Sequence, residues 1–596
     1  MPDSRQRHSA RLRRPRGTWL PILFVAMALL VAFQLVRVVF LDGSTLTAQA
    51  AQRYTKTVVS YAKRGTIYDI NHRVLAYSED CSDIYADCTQ ISNPAATAQE
   101  LSSVLGGKST DYLILLTKNP SSTFVYIKKQ VETKQVQALQ QRQAVLKQQY
   151  INGLSDKAEA PLDPPTALRG INYLKSTKRC YPYGKVAAQI VGSVQQVDGS
   201  SGTQLVGKSG IELAYNADLT GVDGQTVAQT AKNGVPLPGG VISQSEAQDG
   251  NDLVLSIDID LQKYVEQRLA AVAHTYGRDQ GTVTVEDGAT GEIYAAASLP
   301  LYKRGKLTQK AVEAGATNLK QITATYEPGS VFKGMTFAVA LSKGVIDPTT
   351  MIHCPAHLKV DGYTISDSHL RPAEDMSATQ IIARSSNIGT SLIKKRITNK
   401  DFYDALQSFG IGQATHVDYP GEALGQLAAP KTWSDVQADN ISFGQGVSVT
   451  PLQVLAYYSA LANKGTKVEP HFLINESSDS KARSYPSSQI LAPETVSELT
   501  PMLQQVVKSG TGVNARISGF KPAGKTGTAQ IASPSGGYQA HNYNVSFVGF
   551  LPGSSSSLTC MCTMDKQPST EVVNPTPILF KQVMAYAIKH YDISPG

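Results

Sequence analysis

The chain has 596 residues, of which 41% are hydrophobic and 17% are charged, with a formal net charge of +8. This length exceeds what one hydrophobic core supports, so we expect several domains, and the composition excludes an intrinsically disordered chain. Residues 1–18 contain six arginines and one aspartate, a local charge of +5, which leaves +3 for the other residues. That excess is too small to indicate a nucleic acid partner, and we expect none.

The run from Trp19 to Leu41 is apolar except for Gln34 and Arg37. It is long enough for a membrane-spanning helix, which needs about 20 residues, and the arginines before it predict a cytoplasmic N-terminus. A cleaved signal peptide is the alternative, because residues 48–50 resemble a cleavage site. The apolar run is longer than such peptides use, and the site lies far beyond it. We therefore predict a single-pass membrane protein with residues 42–596 outside the cytoplasm.

Six cysteines in a chain of this length do not indicate a disulfide framework. Cys81 and Cys88 are the nearest pair that could be bridged, and Cys560 and Cys562 have the spacing of neighbours on one face of a strand. The sequence leaves open whether either pair is bridged. Ligand pairs at zinc spacing are lacking, so we predict no metal site.

Between the apolar run and residue 252 the sequence predicts short mixed elements. In chain order these are two strands around a turn at Asn71-His72 within residues 64–76, a solvent-facing helix over 127–150, a loop over 152–165, a glycine- and serine-rich stretch over 192–210 and a short helix from Ile211. The polar stretch 239–252 is the best candidate for a domain boundary.

After residue 252 the pattern is more regular. We expect a strand over 253–258, a helix over 261–275, a hairpin of strands over 281–287 and 292–297, helices over 328–343, 377–384, 388–396, 401–408, 450–463 and 494–508, strands near 525–531, 545–551 and 558–564, and a last helix over 577–590. Strands, then a block of helices, then further strands predict an α+β fold.

The segment that says most about chemistry contains Ser330 and Lys333. A serine and a lysine three residues apart on one helix share a face, so the amine can take the proton of the hydroxyl nucleophile. Pro328 favours a helix start, which places Ser330 where the helix dipole stabilises developing negative charge. The tetrapeptide alone is weak, because it recurs at Ser60–Lys63, Ser391–Lys394, Ser478–Lys481 and Ser518–Lys521.

Two later elements distinguish the first match from the others. Ser385-Ser386-Asn387 follows a helical run, and Lys525-Thr526-Gly527-Thr528 opens a predicted strand that could pair with a peptide. These three motifs in this order are typical of penicillin-binding proteins and class A β-lactamases. Residues 519–526 and 202–209 match a phosphate-binding loop, which needs a strand before it and a helix after it. No helix is predicted after the first match, and no strand is predicted directly before the second.

With the three motifs placed, the chain resembles a class B penicillin-binding protein, a monofunctional peptidoglycan D,D-transpeptidase, of the division type more than the elongation type. Further markers that carry the resemblance are Arg64-Gly65 with Asp69, Tyr181-Pro182, Gly210-Ile-Glu212, Ser256-Ile-Asp258 with Gln262, Thr290-Gly291, Phe443-Gly-Gln-Gly446 and Thr450-Pro-Leu-Gln453. One departure is Asn71-His72-Arg73, which stands where the family usually has Asn-Gly.

The resemblance implies a transpeptidase domain of the penicillin-binding and β-lactamase type, with an antiparallel sheet and a helical block, on an elongated mixed α/β pedestal preceded by one transmembrane helix. It implies four segments: a basic cytoplasmic tail over 1–18, an anchor over 19–41, a pedestal or dimerisation domain over 42–245, and a transpeptidase domain over 246–596. No cofactor is implied. The implied partners are D-Ala-D-Ala stem peptides, β-lactams, the cytoplasmic membrane, a SEDS-type glycosyltransferase and division proteins.

The resemblance also implies a role for each motif residue. Ser330 would attack the D-Ala-D-Ala carbonyl, and Lys333 would be the general base, which requires a neutral amine near pH 7. Burial and a second cation, Lys525, would lower its pKa. Ser385 would relay the proton to the leaving amine, and Asn387 would hold the substrate amide.

The Lys525 motif would also supply the substrate-binding and oxyanion groups: Thr526, Gly527 and Thr528. The backbone N–H groups of Ser330 and Thr528 would form the oxyanion hole, and the two threonine hydroxyls would receive the substrate carboxylate. Two other functions share these motifs. One is a membrane-bound serine β-lactamase or β-lactam sensor, and the other is a catalytically silent scaffold of the division complex.

Overall fold

The computed structural model describes residues 19–41, 55–154, 161, 164–199, 202–230, 236–302, 304, 308–477, 482–533, 537–569 and 573–595. The predicted basic tail and the alternative cleavage site at 48–50 lie outside these residues. By its contacts the chain forms two compact units, residues 1–62 with 222–248 and residues 63–221 with 249–596.

The strands of the described residues are, in chain order, β1 (Thr55–Ser60), β2 (Ile67–Tyr68), β3 (Val74–Ala86), β4 (Val125–Glu132), β5 (Ile171–Cys180), β6 (Ser193–Gly199), β7 (Gly202–Ser209), β8 (Gly224–Thr230), β9 (Pro236–Ser245), β10 (Leu253–Leu255), β11 (Gly281–Asp287), β12 (Ile293–Ser298), β13 (Met351–Cys354), β14 (Leu358–Val360), β15 (Tyr363–Ile365), β16 (Glu374–Ser377), β17 (Thr466–Val468), β18 (Leu473–Glu476), β19 (Ser487–Gln489), β20 (Ala523–Ala532), β21 (Tyr538–Phe550) and β22 (Leu558–Gln567).

The α-helices of the same residues are α1 (Trp19–Val36), α2 (Pro94–Leu105), α3 (Ser109–Lys118), α4 (Thr133–Asn152), α5 (Ala188–Val191), α6 (Gly210–Ala214), α7 (Asn216–Leu219), α8 (Ile259–Thr275), α9 (Gln309–Glu313), α10 (Lys320–Thr323), α11 (Lys333–Ser342), α12 (Ala378–Arg384), α13 (Asn387–Lys394), α14 (Asn399–Ser408), α15 (Asp435–Ser442), α16 (Pro451–Ala462), α17 (Pro493–Lys508) and α18 (Thr576–His590).

The smaller unit contains α1 and a three-stranded antiparallel sheet with the order β1-β8-β9. The segment Trp19–Val39 has a mean hydropathy of 2.5 and none of it is buried against protein. It is long and apolar enough to cross a membrane, which fits the predicted single-pass anchor. Strand β9 occupies part of the stretch 239–252 that we predicted as a domain boundary, and it ends at Ser245, where the predicted pedestal ends.

The larger unit begins with a mixed sheet of order β18-β10-β2-β3-β4, in which β5 also pairs with β3. The predicted turn at Asn71-His72 joins β2 to β3, and Arg73 beside it forms ion pairs with Asp69, Asp258 and Asp260. Residues 127–132, predicted as the start of a helix, belong instead to strand β4, and helix α4 begins only at Thr133. The glycine- and serine-rich stretch 192–210 forms the hairpin β6–β7.

The second half of this unit is built on a five-stranded antiparallel sheet of order β12-β11-β22-β21-β20. On one face α8 and α18 pack against the sheet around Leu269, Val283 and Phe580. On the other face lies the helical block, whose core includes Phe332, Tyr458 and residues of α12, α16 and α17. Sheet and helical block together confirm the predicted α+β fold, and the predicted helices from 377 onward agree with α12 to α18, apart from α15, which was not predicted.

The cysteines are consistent with this packing. Cys560 and Cys562 both point into the core on the α8 and α18 face, as expected for alternate positions of one strand, with their sulfur atoms 3.9 Å apart. All six cysteines are free thiols, including Cys81 and Cys88.

Candidate active site

Ser330 lies at the start of the helix that opens the helical block. Residues Gly329–Phe332 form one turn of 3₁₀-helix, capped by Pro328, and α11 follows directly at Lys333. Gly329 has a φ of +60°, and its N–H donates to Gly444 O at 2.9 Å. Val331 and Phe332 are buried while Ser330 is partly exposed, so the turn anchors itself by its apolar residues and presents the hydroxyl.

The glycine at 444 is needed for this anchoring. A Cβ added to Gly444 would lie 2.2 Å from Gly329 O, and Gly444 itself has a φ of +84°. The absence of a side chain at Gly444 therefore allows its loop to support the nucleophile turn.

The second motif forms the junction between two helices. Ser385 ends α12 with a left-handed backbone, φ +61°, which is rare for a residue other than glycine. Ser386 caps α13, accepting a hydrogen bond from Gly389 N at 3.0 Å, and Asn387 is the first residue of that helix. Strained backbone of this kind persists where the surrounding structure holds it, and it is common at functional sites.

The third motif lies on β20, the last strand of the five-stranded sheet. Side chains alternate along a strand, so Thr526 and Thr528 line a cleft with Ser330 and Ser385. A side chain at position 527 would face away from the two threonine side chains. A Cβ there would lie 2.2 Å from Ser546 Oγ and 2.9 Å from Pro328 O, so Gly527 lets the strand approach the nucleophile turn.

The cleft has a volume of about 620 Å³. Its other wall comes from residues 367–371, from Arg384 and from Ser509–Thr511. The Thr511 hydroxyl lies 2.6 Å from the Thr526 hydroxyl. A cleft of this size accommodates a short peptide beside the edge strand β20.

The two lysines meet at Ser385. Lys333 Nζ donates to Ser385 O at 2.5 Å, to Asn387 Oδ1 at 2.8 Å and to Ser385 Oγ at 3.2 Å. Lys525 Nζ donates to the same Ser385 Oγ at 2.9 Å and to Thr526 O at 3.0 Å. Both lysines are fully buried. Four of the predicted catalytic residues, Lys333, Ser385, Asn387 and Lys525, are therefore joined by direct hydrogen bonds.

The burial of the two amines governs their protonation. Burial lowers the pKa of Lys333 from 10.5 to about 7, and the negative charge of Asp367 opposes this effect. The pKa of Lys525 is lowered well below its ordinary value, first by burial and then by the charge of Lys333. Burial is thus the main cause for Lys333, and the repulsion that we expected from a second cation is seen on Lys525. Near pH 7 we therefore expect at most one of the two amines to be protonated, so that the pair carries at most one positive charge.

Two details differ from the roles that we expected. Among the described residues, the Ser330 hydroxyl forms no hydrogen bond with Lys333 or with Lys525, although catalytic hydrogen bonds often tighten only when substrate binds. Asn387 uses both ends of its amide inside the protein, since Oδ1 accepts from Lys333 and Nδ2 donates to Ser366 O at 3.0 Å.

Asp367 is one of the charged residues of the cleft that the sequence did not reveal, and it is the one that contacts the second motif. It lies on the cleft wall, and its carboxylate accepts hydrogen bonds from Ser386 Oγ, from Ile388 N and from Arg371 Nε. A lone aspartate outside the three motifs gave no signal in the sequence, because its importance comes from contacts with residues about 20 positions further along the chain.

Comparisons with known proteins agree with this geometry. Residues 281–585 match the family model of the penicillin-binding protein transpeptidase domain, and residues 59–255 match that of the penicillin-binding protein dimerisation domain. The chain is 27% identical to the penicillin-binding protein PbpB of Mycolicibacterium smegmatis, with 96% of this chain and 90% of the relative covered. It is also 27% identical to the peptidoglycan D,D-transpeptidase FtsI of Escherichia coli, with coverage of 89% and 84%.

Among solved structures, penicillin-binding protein 2X of Streptococcus thermophilus superposes with a TM-score of 0.73 at 23% identity, covering 90% of this chain and 80% of the other. This likeness concerns the fold. Since the transpeptidase model alone matches more than half of the chain and the dimerisation model precedes it, the chain belongs to the class B penicillin-binding protein transpeptidases.

Proposed function

We propose that this protein is a serine-type peptidoglycan D,D-transpeptidase that cross-links stem peptides through an acyl-enzyme on Ser330 and is acylated there by β-lactams. The observation that carries this function is that Lys333 and Lys525 both donate hydrogen bonds to Ser385 Oγ, in a cleft that Ser330 also lines. The relatives named as D,D-transpeptidases support the reaction class.

Acylation begins with proton transfer from Ser330 to Lys333. A neutral lysine has two N–H bonds, and two carbonyl oxygens, Ser385 O and Asn387 Oδ1, lie at distances suited to accept them. The lone pair then remains for a hydroxyl proton. Ser330 must close on Lys333 for this step, and the position of both on one turn of the helix makes that movement small. Asn387 serves in this scheme to orient the base.

The tetrahedral intermediate carries its negative charge on the former carbonyl oxygen. We assign the oxyanion hole to the N–H groups of Ser330 and Thr528, at roughly 3 kcal/mol per donor. The close approach of the nucleophile turn to strand β20 supports this assignment, because a Cβ on Gly329 would lie 2.6 Å from Thr528 O. We assign the substrate carboxylate to the Thr526 and Thr528 hydroxyls, which line the cleft, and we expect Gly527 to contribute through packing.

Departure of D-alanine requires a proton on the leaving amine. Ser385 Oγ touches both lysine amines, so it can pass the proton that Lys333 took from Ser330 to the leaving group. An amine of a second stem peptide then attacks the acyl carbonyl of Ser330. Its excess proton returns through Ser385 to the lysine pair, and Ser330 regains its own, which closes the cycle.

Labelled penicillin tests the function against its two alternatives. We expect wild type to form a stable adduct, Ser330→Ala to form none, and wild type to release D-alanine from a pentapeptide donor in the presence of an acceptor amine. Rapid release of hydrolysed penicillin would indicate the β-lactamase instead. A folded wild type that takes up no label would indicate the silent scaffold. The carboxylates that line the cleft, Asp367 and Glu374, are each paired with an arginine, and we assign neither of them as the water-activating base that a β-lactamase needs.

The membrane arrangement and the partners are part of the proposal. The six arginines before α1 support a cytoplasmic N-terminus, so we infer a tail over 1–18, an anchor over 19–41, a pedestal over 42–245 and a transpeptidase domain over 246–596 outside the cytoplasm. A SEDS-type glycosyltransferase that supplies glycan strands would contact the anchor and pedestal. Co-purification of such a polymerase, lost when residues 19–41 are exchanged for an unrelated span, tests this partner.

A further inference from the structure

The segment after β15 holds the second motif in place. Asp367 Oδ1 accepts from Ser386 Oγ at 3.0 Å and from Ile388 N at 3.1 Å, and Oδ2 accepts from Ser386 Oγ at 2.9 Å and from Arg371 Nε at 2.8 Å. Its neighbour Ser366 accepts from the Asn387 amide. The carboxylate therefore binds the N-terminal turn of α13, where the helix dipole favours a negative charge.

The same turn holds the base. Lys333 donates to the backbone and side chain of Ser385 and to Asn387, and none of its described contacts is an ion pair. Lys525 likewise contacts only hydroxyl and carbonyl oxygens among the described residues. A proton shared by two buried amines is costly without a negative charge nearby. Asp367 is nine-tenths buried, and its electrostatic effect reaches Lys333.

We propose that Asp367 is a positioning residue for acylation, which fixes the Ser385–Asn387 turn that orients Lys333 and supplies the counter-charge for the buried lysine pair. Its effect is moderated by Arg371, which forms an ion pair with Asp367 and lies 3.8 Å from Glu374. Glu374 in turn pairs with Arg384. The charged groups around the base are then Lys525 on β20, Asp367 and Arg371 after β15, Glu374 on β16 and Arg384 on α12.

This proposal deepens the proposed function and rests on it. It has a consequence that a purely structural aspartate would not have. Removal of the negative charge stabilises the neutral amine, so the pH at which Lys333 becomes active falls. Removal of the arginine has the opposite effect. For two charges roughly 8 Å apart and an effective dielectric constant between about 20 and 80, Coulomb's law gives shifts on the order of 0.5 to 1.5 pH units.

The test measures the second-order rate constant of Ser330 acylation by a fluorescent penicillin between pH 5 and 9, using the full chain in detergent. The variants are Asp367→Asn and Arg371→Gln. The matched control is Asp375→Asn, which removes an equal charge from a side chain that is 66% exposed and paired with His353. The acid limb of the profile is the pH range in which the acylation rate constant rises as Lys333 loses its proton. We expect this limb to move to lower pH in Asp367→Asn, to move to higher pH in Arg371→Gln and to stay in place in the control.

The following outcomes would overturn the proposal. If Asp367→Asn is acylated more slowly with an unmoved limb, Asp367 has only a packing role and the proposal is wrong. If Asp367→Asn does not fold, the Arg371→Gln variant alone tests the proposal. An unmoved acid limb in that variant would show that the Asp367–Arg371 pair has no electrostatic effect on Lys333, and the proposal would be wrong. A wild type that is not acylated at all would overturn the proposed function together with this inference. A normal wild-type profile that no variant shifts would overturn the inference alone.

Discussion

The pH dependence of acylation is the most direct consequence of the buried base. Burial lowers the pKa of Lys333 from 10.5 to about 7, a difference worth about 5 kcal/mol between the two protonation states. The neutral fraction, and with it the acylation rate constant, should then rise about tenfold from pH 5 to 6 and about tenfold more from pH 6 to 8, with a plateau above pH 8. Stopped-flow acylation by a fluorescent penicillin measures this profile.

An ordinary lysine gives a different curve. With a pKa of 10.5 the rate constant would rise about tenfold for every pH unit up to pH 9 and beyond, and it would reach no plateau in that range. Such a curve, or a rate independent of pH, would refute the assignment of Lys333 as a buried base. Lys333→Arg provides the control, because a guanidinium keeps its proton throughout the range, so we expect no acylation at any pH.

Three further predictions concern the frame of the site and the cores around it. Gly444→Ala places a Cβ 2.2 Å from Gly329 O, so acylation should slow by about tenfold or more, whereas Gly362→Ala, with equally positive φ but open space around it, should be acylated at the wild-type rate. Burial raises the pKa of Glu286 from 4.5 to about 8. The contribution of this group to the free energy of unfolding is therefore complete below pH 4.5 and falls as the pH rises toward 8, by about 3 kcal/mol at pH 7. Thermal unfolding of Glu286→Gln should lack this dependence on pH. An equal dependence on pH in both proteins would contradict the prediction. Glu212 is fully buried and ion-paired with two buried arginines, so Glu212→Gln should lower the free energy of unfolding in urea by about 3–5 kcal/mol, against about 0.5 kcal/mol for Asp80→Asn at an exposed pair.

Regular elements could be predicted from the sequence because their apolar positions report one buried face. Helices α16 and α17 are long and amphipathic or wholly buried, and their predicted limits agree with the structure within one residue. The error over residues 127–132 shows the limit of this reasoning. Ile127 and Val131 are both buried and four residues apart, a spacing that places two side chains on one face of a helix and also on one face of a strand. The pairing of β4 with β3 decides between them.

The motifs predicted residues that the structure brings together in one cleft, but they did not predict the contacts between those residues. Three short motifs in a fixed order identified Ser330, Lys333, Ser385 and Lys525. The left-handed backbone of Ser385 and the inward-facing amide of Asn387 could not be predicted, because they depend on how α12, α13 and the segment after β15 pack together. A motif constrains residue types along the chain, while hydrogen bonds are formed between segments that the motif does not mention.

The placement of the lysines explains why the helical block around them is so completely buried. Burial is the main cause that lowers the pKa of Lys333 toward 7, and every residue of α11 from Lys333 to Leu341 lies in the core. The Tyr458 hydroxyl packs against the turn that precedes this helix and donates to Val331 O at 2.8 Å. Burial alone would leave the amines without a counter-charge and the Ser385 turn without support. The carboxylate of Asp367 meets both needs from outside the core, which is why the reactivity of Ser330 should depend on a residue that contacts neither Ser330 nor Lys333.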